Sequence, residues 1–220
     1  MPEASLIPLF ERCAFAGYDR QTWMVELHGD DAWAVDLDEG VITFGRKTTY
    51  RVQLLGSESD ATDSWMWAWA NDSAELADPL LESARSLREM GESFKVPGLT
   101  TPSFRFNELE GHEVAIIGMV MLSEPAYFRA PYDDGAEYLL IHDAAFPAPT
   151  QPLTERIERV ILETLATWEL DDHRLGIEGW LKGLGVPMHA QSTAIHVECG
   201  DATIVIGFDD RRRVTGVTTS

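Results

Sequence analysis

The chain is short of cysteine, of positive charge and of long apolar runs. Two cysteines occur in 220 residues, Cys13 and Cys199, far apart and without Cys-x-x-Cys spacing, so neither a disulfide framework nor a zinc site is expected. Lysine and arginine together number 17 against 37 acidic residues, a formal net charge of −20. Such a surface repels nucleic-acid phosphates and anionic lipid headgroups, which argues against nucleic acid and membrane surfaces as partners. No stretch approaches the roughly 20 apolar residues needed to cross a bilayer. The opening MPEASLIPLFERC carries Glu3 in place of a basic flank and meets Glu11 and Arg12 early, so it is not read as a signal peptide. A cytoplasmic setting is the expectation.

Catalytic signatures are missing as well. There is no GxSxG, no glycine-rich phosphate loop, no dinucleotide fingerprint and no EF-hand spacing. The histidines His28, His112, His142, His173, His189 and His196 are scattered, and none forms the i, i+4 pair of a helical zinc site. No metal, cofactor or catalytic residue is therefore assigned, and whether the protein is an enzyme stays open.

What is present describes a globular chain: 45% hydrophobic and 25% charged residues. One compact domain is expected over 1–220, or two associated halves, 1–146 (helix, β-meander, helix) and 153–220 (two helices, β-hairpin), divided at the proline-rich FPAPTQP. The charge is unevenly spread. Residues 1–150 hold 10 basic and 26 acidic side chains, whereas 151–220 hold 7 and 11, so a cationic partner is steered to the first 150 residues.

Leu6, Phe10 and Cys13 recur at helical spacing, with Pro8 suited to a first helical turn, Gly17 as a stop and Asp19 as cap of a second helix carrying Trp23 and Leu27. From residue 33 the period falls to 2. AWAVDLDEGVITFG reads as a hairpin, TYRVQLLG as a third strand with Arg51 and Gln53 on one face, and SWMWAWAN as a fourth. Asp78-Pro79 opens a helix over 79–90, and ELEGHEVAIIGMVML is read as a buried helix despite its β-branched residues. AYFRAPYDDGAEYLLIHD is a hairpin with Pro131 marking an edge; LTERIERVILETLATWEL is the clearest helix; DHRLGIEGWLKGLG is a shorter one. STAIHVECGDATIVIGF closes as a hairpin through Gly200-Asp201, with RRRVTGV as a third strand. The fold class is α+β: an antiparallel meander with packed helices and a central tryptophan-rich strand.

On a strand, Trp65, Trp67 and Trp69 project from one face and Met66, Ala68 and Ala70 from the other, so both faces are expected to be covered. Three open indoles would form a patch that a soluble monomer rarely tolerates, which favours a core role. The alternative is an aromatic binding platform made by Trp65, Trp67 and Trp69 with Asn71 at the strand end and Gln53 on the neighbouring strand. Elsewhere, His196 and Glu198 share one strand face, Asp171-Asp172-His173 suits a helix cap, and the run Arg211 to Arg213 suits a charged hairpin tip. The pairs Asp30-Asp31, Asp36-Asp38 and Asp133-Asp134 read as solvated turns.

GSESDATDSWMWAWAN, the preceding YRVQLLG, the later LREMGESFKVPGLTTPSF and, more weakly, VIGFDDRRRVTGV together resemble an uncharacterised bacterial family, domain of unknown function 6882. The resemblance implies no activity. Two functions are carried forward: a non-enzymatic binding protein, immunity-type or regulatory, for a basic protein partner; and a small-molecule or hydrolytic site at the sheet end near Asn71.

Overall fold

A computed structural model describes residues 6–71, 76–107 and 109–220. These residues form two structural units, one comprising 6–10 and 20–147, the other 11–19 and 148–220. Helix α1 (Ile7–His28) therefore contributes to both. It runs unbroken through Gly17 and Asp19, where the sequence suggested a stop and a cap. Asp19 is 2% exposed and receives hydrogen bonds from Arg156 and from Trp180 Nε1, so its carboxylate is committed to tertiary partners. No helix among the described residues is long and apolar enough to cross a membrane.

The first unit is built on a seven-stranded antiparallel sheet. Strands β1 (Trp33–Asp36), β2 (Val41–Phe44), β3 (Thr48–Ser59), β4 (Ser64–Trp67) and β5 (Ser103–Arg105) follow one another in space. The hairpin β6 (Tyr127–Tyr132) and β7 (Gly135–Ile141) joins through β7, which pairs with β3; β6, with Pro131, is an edge strand as expected. Helices α2 (Glu82–Phe94), α3 (Pro97–Thr100) and α4 (Gly111–Met121) complete the unit.

β3 organises the sheet because it changes face midway. Its register with β7 places Leu54 opposite Leu139 but Gly56 opposite Tyr138, so Leu55 is the extra residue of a bulge. Before the bulge, Val52 and Leu54 join a core with Met24, Ile42, Phe44, Leu139 and Ile141. Leu55 instead packs on Gly118 of α4, close to Leu87 of α2. Apolar residues on both faces explain why burial is continuous from Val52 to Gly56, where simple alternation leaves Gln53 outside with Arg51.

Three local expectations are corrected. The tryptophan strand ends at Trp67, and Ala68–Ala70 forms a 3-10 turn, so Trp69 leaves the face shared by Trp65 and Trp67. Met66, on the opposite face, is 39% exposed, so that face is not covered. Asp78–Leu81 is a 3-10 turn without a side-chain cap, Asp78 being paired with Arg85, and the α-helix begins only at Glu82.

The second unit carries α5 (Leu153–Thr167), α6 (His173–Gly183) and a four-stranded antiparallel sheet ordered β11 (Val214–Thr219), β10 (Ala202–Phe208), β9 (Ala194–Cys199), β8 (Met188–Ala190). Ile157, Val160 and Ile161 of α5, Ile177 and Leu181 of α6, and Ile195, Val197, Ile204 and Ile206 of the strands are fully buried. Asp172 caps α6 by accepting the Leu175 N–H at 2.9 Å. The β9–β10 loop has a positive φ at Gly200 only, as a II′ turn requires.

Candidate functional site

A carboxylate on the inner face of a strand must find donors, and Glu58 does. Its register partners are Trp65 on β4 and Ala136 on β7, and its side chain is 12% exposed. Arg129, from β6, donates to Glu58 Oε1 through Nε at 2.7 Å and through a second guanidinium nitrogen. The Tyr138 hydroxyl donates to Oε2 at 2.8 Å, and that of Tyr132 to the Glu58 backbone carbonyl at 3.1 Å. Each chain segment of the β3–β7–β6 ribbon thus contributes to one polar cluster.

Helix α4 begins against this cluster. A Cβ on Gly111 would collide with Glu58 Oε2 and with the Tyr138 hydroxyl, so only glycine admits the carboxylate to the positive end of the helix. Glu110 and Glu113 close a reciprocal capping box around the same turn. His112 follows, its Nδ1 2.8 Å from the hydroxyl of the buried Tyr127 and its ring edge-on to Tyr138 at 5.6 Å.

The electrostatics follow from burial and from these pairs. Tyr138 is pushed far above the ordinary phenol range by burial and then by its bond to Glu58; Tyr127 is pushed up by burial and by the charges of Glu113 and Glu58. Both hydroxyls keep their protons. Partial desolvation and the Arg129 charge lower His112, outweighing Glu113, Glu58 and Glu110. Burial opposes the charged form of Arg129, but the bond to Glu58 outweighs it and raises the guanidinium.

Beside the cluster opens a cleft of about 330 Å³ bounded by Glu58, Asp60, Asp63, Phe106, Asn107 and Glu110. Asp60 and Asp63 lie in the β3–β4 turn, which is held by the Asp60 N–H to the Asp134 carbonyl at 3.0 Å and the Phe106 N–H to the Asp63 carbonyl at 2.9 Å. Among the described residues no cation pairs with Asp60, Asp63 or Glu110. The cleft therefore carries an excess of negative charge beyond what Arg129 neutralises.

A second cleft in the same unit, about 460 Å³, lies between the β1–β2 turn and the start of α2, with Asp38, Glu39, Arg51, Gln53, Glu82 and His142 in its wall. Gln53 is 6% exposed, and its Oε1 accepts the Ser83 N–H at 2.6 Å, serving the helix start that Asp78 does not. The other residues considered for binding are dispersed. Trp65 and Trp67 have no exposed surface and meet edge to face at 5.4 Å; Trp67 Nε1 donates to the Gly98 carbonyl at 3.0 Å. Trp69 is half-buried under the Arg88 guanidinium, 4.7 Å from its ring centre. Asn71 is half-buried at the end of the 3-10 turn, its N–H bonded to the Ala68 carbonyl at 3.2 Å, and it borders neither cleft. The residues that follow it, 72–75, lie outside the described residues.

In the arginine run, Arg212 reaches Asp172 and Arg213 reaches Asp209, both at 3.1 Å. The cluster around Glu58 escaped sequence reading because its members come from β3, α4 and the β6–β7 hairpin. The available signal was Glu58 itself, on the same strand face as Gly56 and two residues from it.

A family model described as a family of unknown function, domain of unknown function 6882, matches residues 7–144, and the chain belongs to that family. The matched span contains every residue of both clefts. No curated protein and no solved structure matches the chain.

Proposed function

We propose that this member of the domain of unknown function 6882 family is a non-enzymatic interaction protein, immunity-type or regulatory, that receives a basic protein partner in the acidic cleft of its first unit. The observation that carries the reading is the cleft bounded by Glu58, Asp60, Asp63 and Glu110, of which only Glu58 has a cationic partner among the described residues. It lies in the part of the chain with 26 acidic and 10 basic residues, so the surrounding field attracts the cation that the cleft would hold. Arginine or lysine of the partner is the matching chemistry. We place the protein in the bacterial cytoplasm, for which the free thiols of Cys13 and Cys199 are the supporting feature.

The test is capture from a lysate of the source cell in low and high salt, with wild type and with Asp60→Asn/Asp63→Asn/Glu110→Gln. A basic protein retained only in low salt, and lost with the triple variant, supports the reading. Failure to recover a basic partner, or equal capture by the variant, ends it.

A second reading, small-molecule binding, has one observation in its favour. The Gln53 cleft has a volume within the range of ligand pockets and offers Arg51 and His142 as polar groups beside Leu80. Its wall does not include Asn71.

A further inference from the structure

Most histidines of the chain are occupied by their neighbours. His28 is held by Asp31 and Tyr50, His112 by Tyr127, His142 by Glu124, and His173 by the Leu170 carbonyl and the Val214 amide. His189 and His196 differ. Neither side chain has a hydrogen bond, ion pair or ring contact with any described residue.

These two imidazoles are also neighbours. The antiparallel register of β8 and β9 puts His189 directly opposite His196, between the Gln191 N–H to Ala194 carbonyl bond at 2.8 Å and the Glu198 N–H to Pro187 carbonyl bond at 2.9 Å. Directly opposed residues have Cβ atoms about 4.5–5.5 Å apart and project from the same face. Ile195 and Val197, which flank His196, are fully buried, so strand alternation directs both histidines to the other face; His189 is exposed and His196 half-buried. Glu198 shares that face one step along β9, and Val205 stands on the far side of His196.

We propose that His189 and His196 form a two-nitrogen chelate for a late first-row divalent cation of the zinc and copper class. Neutral imidazole is the ligand these ions favour, whereas magnesium and calcium require oxygen. Metal–nitrogen bonds of about 2.0–2.1 Å would need the two ring nitrogens about 3 Å apart, a separation compatible with the Cβ spacing of directly opposed residues. The backbone is already fixed by the strand bonds, so little order is lost on binding. Water completes the coordination: among the described residues no group of three or more His, Cys, Asp or Glu side chains converges on one point. Glu198 adds favourable charge nearby without being assigned as a ligand.

The untagged full chain is titrated with Cu²⁺ alone by calorimetry and by electron paramagnetic resonance, then challenged with Zn²⁺. The expected result is a tightest site of one ion per chain with two imidazole nitrogens in the spectrum, displaced by excess Zn²⁺. His189→Asn and His196→Asn should each abolish that site while leaving the circular dichroism spectrum unchanged. A tightest site that persists in either single variant, a spectrum with fewer than two nitrogens, or no stoichiometric binding would overturn the proposal. Because both residues are in the second unit, this outcome is independent of partner capture by the acidic cleft.

Discussion

Glu58 occupies, with one carboxylate oxygen, the space that any side chain on Gly111 would need. The contact joins the middle of the sheet to the first turn of α4, and it makes the polar cluster depend on a hydrogen atom at position 111.

Gly111→Ala should therefore destabilise the protein by about 1–3 kcal/mol, although alanine is the better helix former. Urea unfolding measures the loss. A neutral or stabilising result would mean that Glu58 moves aside at no cost and that the contact is not tight.

Asp19 and Arg156 test the second unit. Asp19 is almost fully buried, and it also accepts the Trp180 indole N–H at 2.9 Å. Asp19→Ala leaves a buried guanidinium without its counterion and should cost about 3–5 kcal/mol. The double variant Asp19→Leu/Arg156→Met should lose less than the sum of the singles, as read by a double-mutant cycle.

Trp65 and Trp67 are equally buried but differently bonded. Trp67 Nε1 has the Gly98 carbonyl, whereas Trp65 Nε1 has no partner among the described residues. Trp67→Phe should cost about 1 kcal/mol more than Trp65→Phe, the contribution of one buried hydrogen bond. Equal losses in chemical denaturation would show that the bond contributes nothing net.

Acidification acts through histidine. His112 is lowered chiefly by burial and by Arg129, and His173 chiefly by burial. Below the ordinary histidine value the unfolded chain binds protons that the folded chain resists, so stability is full above that value and falls as the pH drops toward the folded-state values. Unfolding free energy should decline from about pH 7 toward about pH 5, and His112→Gln should flatten part of that slope. An unchanged profile in the variant would remove His112 as a contributor.

Two helices show where local pattern and fold agree and where they part. The α4 segment, HEVAIIGMV, is helical as its length suggested, because a buried helix needs no polar face and its β-branched residues find packing on both sides. α1 defeated local reading: Gly17 costs about 1 kcal/mol inside a helix, but that is small beside the burial of Phe10, Cys13, Ala14 and Phe15 around it.

Local patterns in the sequence, namely the change of period from 3.6 to 2 and the hairpin turns, were enough to determine an antiparallel α+β protein, while the burial of Trp65 and Trp67, for which the sequence left core and binding platform both open, was decided by the structure. The local patterns act over a few residues, and so are legible along the chain. Only tertiary structure decided that Leu55 bulges out of register, that Gln53 serves a helix start, and that Glu58, Arg129, Tyr138 and Gly111 meet. Those contacts join residues far apart in sequence, where no periodicity records which donor a buried carboxylate will find.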